Sequence, residues 1–313
     1  MGNAVEVTDL AKTYGELHAV DHIDFSVAAG EVFSFLGPNG AGKTTTTEIL
    51  EGLRRASSGS VRVLGLDPWT DGGRLQRRIG VIPQDFHFFP RLTPREAIEL
   101  YAGLFDVPAR TSELLSQVGL TDKADAYYET LSGGQHRKVG LALALVNNPE
   151  VCFLDEPTTG LDPQARRQVW EVIEGLRREG RTVFLTTHYL EEAQQLSDRI
   201  AIIHHGRIIA RGRPDDIIAQ FGTGERLRVM SGPSMTEYLR SHIDLPVESS
   251  NGAVEVRLRS KEDALRVLQV VQSSGIAWQS FSTVQDTLED VFIRLVGRLD
   301  EGAESDAAPR ERK

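Results

Sequence analysis

The feature that most constrains this 313-residue chain is the segment Gly37-Pro38-Asn39-Gly40-Ala41-Gly42-Lys43-Thr44. A short apolar run, Val32 to Leu36, precedes it, and a stretch compatible with a helix follows. Strand, glycine-rich loop and helix are the context in which backbone N–H groups can curl around phosphates. In that geometry Lys43 reaches the β- and γ-phosphates and the Thr44 hydroxyl takes a Mg²⁺ ion. Thr45 extends the same cradle into the first turn. The pattern therefore implies an α/β fold and a bound nucleoside triphosphate.

A second apolar run, Val151 to Leu154, ends in Asp155-Glu156. Open α/β sheets bind ligands at the carboxyl ends of their strands, so both carboxylates fall where the phosphates lie. Their reach divides the roles. Asp155 is placed to hold Mg²⁺ or its water shell, and Glu156 to orient and deprotonate an attacking water. A third segment, Leu131-Ser132-Gly133-Gly134-Gln135, precedes the apolar helical run Val139 to Val146. It is a second small-residue loop feeding a helix N-terminus, hence a second anion reader. One domain with one Mg²⁺ site does not need two phosphate cradles. The loop is therefore expected to serve the nucleotide of a second copy in a head-to-tail dimer.

In this order the three segments resemble the ATP-binding cassette (ABC) family, over roughly Val5 to Ala219. The resemblance implies a P-loop NTPase cassette with a RecA-like core, an antiparallel β subdomain and a helical subdomain. It also implies hydrolysis of ATP with Mg²⁺, an ATP-sandwich homodimer, and a separate transmembrane permease subunit as partner. Further positions match one by one. Tyr14 is similar to the adenine-stacking aromatic, and Gln84 in Ile82-Pro83-Gln84 to the glutamine that senses Mg²⁺ and the membrane partner. Asp162 is similar to the dimer-contact aspartate, and His188 in Thr186-Thr187-His188 to the γ-phosphate histidine. Glu156, His188 and Gln84 are thus the expected catalytic set, and Thr44, Gln84 and Asp155 the expected metal set. Thr287 to Phe292 resembles the C-terminal appendage of exporter ATPases of the daunorubicin-resistance type, which implies export of a drug, antibiotic or lipid-like compound. A soluble ABC ATPase or a nucleotide-dependent switch is the alternative reading.

Composition fits. Hydrophobic residues make up 40% and charged residues 26%, ordinary values for a chain that packs a core. The formal net charge of −10 argues against a general nucleic-acid binder. The sequence carries no uninterrupted apolar stretch long enough to span a bilayer, so the expected location is cytoplasmic, and the resemblance implies a peripheral place on the inner face of the cell membrane.

Local patterns complete the reading. Residues 3 to 30 alternate as antiparallel strands, and residues 85 to 147 are helical, with Thr93, Pro94 and Glu96 marking one helix start. Pro163 to Arg178 is an amphipathic helix that Asp162 is suited to cap. Phe86, Phe88 and Phe89 are candidates for docking a membrane partner or for packing within the helical subdomain. Cys152 reads as a small buried residue, and His204-His205 as structural residues on opposite faces of a strand. The cassette is expected over residues 1–222, an α+β appendage over 223–298 beyond a flexible junction at Phe221 to Gly224, and a disordered tail over 299–313.

Overall fold

The computed structural model describes residues 2–250 and 252–307, in two compact units that divide between Pro214 and Asp215. In the first unit, β1 (Asn3–Tyr14) and β2 (Leu17–Ala28) form an antiparallel hairpin. β3 (Val32–Leu36) leads through the glycine loop into α1 (Lys43–Leu50), and β4 (Ser58–Val63) returns to pair with β1, giving the order β2-β1-β4. Then come α2 (Gly72–Leu75), β5 (Ile79–Ile82), α3 (Pro94–Phe105), α4 (Thr111–Gln117) and α5 (Gly133–Ala144). The remainder is β6 (Val151–Asp155), α6 (Pro163–Arg178), β7 (Thr182–Thr187), α7 (Leu190–Leu196), β8 (Arg199–His204) and β9 (Arg207–Gly212).

The six-stranded sheet runs β5-β6-β7-β3-β8-β9, parallel except for the β8–β9 pair. All five residues of β3 and of β6 are buried, as expected for strands covered on both faces. Five phenylalanines, Phe25, Phe33, Phe35, Phe153 and Phe184, fasten the antiparallel sheet onto the parallel one, with ring centroids 5.4–6.1 Å apart. The carboxyl ends of β3, β6 and β7 are thereby held side by side.

The helix starts read from sequence form as caps. Glu96 N donates to Thr93 Oγ1 and Thr93 N donates to Glu96 Oε2, with Pro94 at the first position. Asp162 accepts from Gln164 N and Ala165 N, both at 2.9 Å. Phe86 and Phe88 are half-buried against the core of α3, α4 and α5, whereas Phe89 is exposed, so packing claims two of the three rings. Cys152 is fully buried and unpaired. The histidine pair differs from expectation. β8 ends at His204, His205 turns away with φ 47°, and the two rings sit 4.0 Å apart instead of facing opposite sides.

The second unit contains α8 (Pro214–Phe221), β10 (Arg226–Ser231), α9 (Pro233–His242), β11 (Val247–Ser250), β12 (Ala253–Arg257), α10 (Lys261–Ser273), β13 (Trp278–Val284) and α11 (Leu288–Ala307). Its antiparallel sheet has the order β11-β12-β10-β13. Leu227, Val229, Val254 and Val256 pack with Met235, Leu239, Val267 and Val271 of α9 and α10 in a core of its own. Leu265 of α10 is 66% exposed, although it stands in the apolar pattern Ala264, Leu265, Val267, Leu268 and Val271.

Three boundaries are corrected. α8 clusters with the second unit, because Arg294 Nη1 donates to Phe221 O at 2.8 Å and ties the end of the helix to α11. The junction at Phe221 to Gly224 is not loose. Thr223 donates through both N–H and hydroxyl to Asp286, which Arg226 Nη2 also meets at 2.9 Å. Finally, α11 continues to Ala307, so residues 299–307 are helical. Ala and Glu are strong helix formers, and the first proline after them is Pro309. Residues 308–313 lie outside the described residues.

Asp286 sets a pH dependence. Burial alone would raise its pKa, but the Thr223 N–H and hydroxyl with Arg226 and Arg294 hold it below the usual carboxylate range. A depressed folded-state pKa stabilises the fold above the unfolded value of about 3.9 and is lost as pH falls through the folded one. Asp286→Ala is expected to cost about 3 kcal/mol, read as lost hydrogen-exchange protection in β10 and β12 at neutral pH. The gap between variant and wild type should close as pH falls below about 4, and an equal gap at low pH would contradict the assignment.

Candidate functional site

The loop between β3 and α1 is closed by contacts that only glycine allows. A Cβ on Gly37 would lie 2.3 Å from Ile203 O, and one on Gly42, at φ +109°, would lie 2.4 Å from Ala19 O. With the loop clamped between the β2 segment and β8, Lys43 folds back over it and donates to Gly37 O at 2.8 Å and Pro38 O at 3.2 Å.

Glu156 follows the last residue of β6 in the left-handed region, φ 46°, a conformation costly for a side chain other than glycine. Two bonds hold it there: its N–H donates to Thr186 O at 3.1 Å and to Thr186 Oγ1 at 3.0 Å. Its carboxylate turns back under the loop. Oε1 lies 3.4 Å from Lys43 Nζ. Oε2 accepts from Thr159 Oγ1 at 3.0 Å and Gln84 Nε2 at 3.3 Å, with His188 Nδ1 at 3.1 Å. The Lys43–Glu156 pair is about 95% buried on both sides, so its attraction is poorly screened.

Thr186, which the sequence reading did not single out, also donates its hydroxyl to Asp155. Burial raises the pKa of Asp155, a push this hydrogen bond and Lys43 oppose while Glu156 and Glu48 add to it. Nearby, burial together with Asp155 and Glu48 pushes the Glu51 carboxyl up to about 8.

A cavity of about 360 Å³ opens over this cluster and is lined by Asn39, Gly40, Gly42, Lys43, Thr44, Thr45, Gln84, Glu156 and Tyr14. Tyr14 is 40% exposed, with Lys12 and Arg54 over its ring at 5.1 and 5.4 Å. Thr44, Gln84 and Asp155 supply a hydroxyl, an amide and a carboxylate, hard oxygen donors suited to Mg²⁺. Among the described residues no three His, Cys, Asp or Glu side chains gather into a cage. A Mg²⁺ here would therefore take its remaining ligands from water and phosphate, its usual habit.

The structure does not bring Ser132, Gly133, Gly134, Gln135 and Asp162 into this cavity. Ser132, Gly134, Gln135 and Asp162 line another, of about 380 Å³, and Gly133 a third. Ser132 caps α5 in a capping box: Gln135 N donates to Ser132 Oγ at 3.3 Å and Ser132 N donates to Gln135 Oε1 at 2.9 Å. Ser132 and Gly133 are exposed.

Comparison with known proteins gives the family. A family model described as "ABC transporter" matches residues 20–159. The daunorubicin/doxorubicin resistance ATP-binding protein DrrA of Streptomyces peucetius is 37% identical, covering 99% of this chain and 97% of that protein. The chain belongs to the ABC transporter ATP-binding family. The Nod factor export ATP-binding protein I of Rhizobium meliloti is 39% identical over 94% of this chain and 88% of that one. Among solved structures, an ATP-binding subunit of an ABC transporter superposes with a TM-score of 0.64 at 30% identity, covering 70% of this chain and 93% of that one. A dimeric ATP-binding cassette in a post-hydrolysis state, bound to ADP and phosphate, superposes at 0.61 with 28% identity, covering 67% and 98%. The protein is thus an ATP-binding ATPase of the ABC type with a mixed α/β cassette fold. Among the described residues no helix is long and apolar enough to cross a membrane.

Thr186→Val, which keeps shape and removes the hydroxyl shared by Asp155 and Glu156, is expected to leave folding intact. It should lower ATPase kcat about tenfold or more, the loss of one buried hydrogen bond to a charged group. Steady-state kinetics with a Mg²⁺ titration checks this, and a wild-type kcat would remove Thr186 from the site.

Proposed function

We propose that this chain is the ATP-hydrolysing motor of an exporter, closing as a homodimer around two ATP molecules and driving a separate membrane-spanning permease. In this reading the glycine loop from Gly37 to Gly42, with Pro38, Asn39, Gly40 and Ala41 between them, cradles the phosphates together with Lys43, Thr44 and Thr45, while Tyr14 stacks on the adenine. Thr44, Gln84 and Asp155 hold Mg²⁺, which offsets phosphate charge when bound. Glu156 orients and deprotonates the attacking water, and His188 reads the γ-phosphate. Ser132, Gly133, Gly134 and Gln135 of the second copy complete the site, with Asp162 at the contact.

The observation that carries the reading is the bonding of Glu156. Lys43, Gln84 and His188 all converge on its carboxylate, and an incoming γ-phosphate competes for Lys43 and His188. The base is then released where phosphate arrives. The placement of Ser132 and Gln135 on a cavity of their own supports the two-copy arrangement. The presence of both Glu156 and His188 favours a turning-over enzyme over a nucleotide switch. Names of relatives that concern drug resistance in one case and Nod factor export in another support export of a drug, antibiotic or lipid-like compound, and membership of the family supports a place on the inner membrane face.

Glu156→Gln keeps shape and loses the base, so it is expected to bind ATP normally, turn over at least about a hundredfold more slowly and accumulate as a dimer with ATP. Unchanged steady-state ATPase would remove Glu156 from its role. Ser132→Arg should leave ATP binding to the isolated chain intact and abolish hydrolysis, whereas Lys43→Ala should weaken binding itself. Equal loss of affinity in both would contradict the two-copy site.

A further inference from the structure

A second buried carboxylate contacts the segments that carry the site's groups. Glu192 of α7 is fully buried, and its Oε1 accepts from Thr158 Oγ1 and from Trp170 Nε1 of α6, both at 2.8 Å. Burial raises its pKa, while the hydroxyls of Thr187 and Thr158, the Trp170 indole and the charge of Arg166 act against that push. Oε2 is buried without a hydrogen-bond partner. So is Nε of Arg166, whose guanidinium lies 4.3 Å over the Tyr189 ring. A polar cluster left half-answered is a costly way to fill a core, and an apolar side chain of similar size would pack there at less cost. Packing alone therefore gives no reason for a carboxylate here.

What Glu192 holds leads to the base from two sides. Thr158, itself fully buried, lies in the turn from Glu156 to Asp162. Its neighbour Thr159 donates to Glu156 Oε2 at 3.0 Å, and Leu161 N donates to Thr158 O at 3.2 Å. The turn ends at the cap of α6, the helix that also carries Trp170. On the other side, Thr187 is the last residue of β7 and accepts from Tyr189 N at 3.0 Å. Between them stands His188, whose Nδ1 lies 3.1 Å from the same Glu156 oxygen. One carboxylate thus joins the turn after β6, helix α6 and the end of β7.

We infer that Glu192 is a positioning residue for ATP hydrolysis: by holding Thr158 it fixes the turn so that Thr159 and His188 meet the Glu156 carboxylate together. The inference rests on the reading of Glu156 as the base. Its effect falls on turnover and not on nucleotide affinity, because the phosphate cradle from Gly37 to Thr45 belongs to a different segment of the chain.

The test is a double-mutant cycle on the full chain, with Thr158→Val, Glu192→Leu and the pair, and Glu156→Gln beside them. Each single variant is expected to lower ATPase kcat about tenfold, the loss of a hydrogen bond to a buried charged group, with KM and ATP affinity within about twofold of wild type. The pair should lose no more than one of them does, since both remove the same bond. Thr158→Val removes only a hydroxyl, so where Glu192→Leu does not fold, Thr158→Val alone decides. Wild-type kcat in Thr158→Val, additive losses in the pair, or a fall in ATP affinity as large as the fall in kcat would each overturn the inference. Wild-type turnover in Glu156→Gln would overturn the reading of Glu156 as the base, and this inference with it, and is seen in a separate arm of the experiment.

Discussion

Burying a carboxylate without partners costs several kcal/mol, and the cassette buries Glu156 to within a few percent of complete exclusion from solvent. Everything around the site answers that cost. Lys43 comes from α1, Gln84 from beyond β5, Thr159 from the turn toward α6, and His188 from the end of β7. Four chain segments distant in sequence are thereby joined through one side chain. The left-handed backbone at Glu156 aims the carboxylate inward, and Thr186 holds that backbone through two hydrogen bonds. The same convergence makes the site responsive. In the proposed reading a γ-phosphate entering the cavity attracts Lys43 and His188, so its arrival redistributes bonds that also restrain the β5 and β7 ends.

The parallel sheet exists to place those ends. β3 lies between β7 and β8, and β6 beside β7, so the glycine loop, Asp155-Glu156 and His188 emerge along one edge. The phenylalanine cluster beneath keeps the antiparallel sheet in register with them, which carries Tyr14 to the mouth of the same cavity. Close approaches at Gly37 and Gly42 leave no room for side chains there, which explains why the loop geometry is tied to glycine at these positions.

Much of this was legible in the sequence because it is local. The glycine loop, the β6 run ending in two carboxylates, and the caps at Thr93 and Asp162 each depend on residues within a few positions of one another. What was not legible depends on distance. Thr186 matters through hydroxyl contacts to a strand 31 residues earlier, and the 223 junction is fixed by Asp286, 63 residues later. The surroundings of Glu51 likewise come from β5, α3 and α5, which nothing in its local sequence announces. Periodicity also put His204 and His205 on opposite faces, since it assumes that the strand continues where the chain in fact turns away at His205.

The proposed function requires that the nucleotide site be shared between two copies, the glycine loop of one, which includes Asn39, lying against the Ser132 to Gln135 loop of the other. Cys152, the one native cysteine, is fully buried, so a chain carrying Asn39→Cys and Ser132→Cys in the Glu156→Gln background has its only accessible thiols at those two positions. Mild oxidation with and without ATP, read on a non-reducing gel, tests the claim. A covalent species of twice the chain mass that forms with ATP and not without it is the expected result. Absence of that species from a preparation that demonstrably binds ATP, or its equal formation without nucleotide, would contradict it.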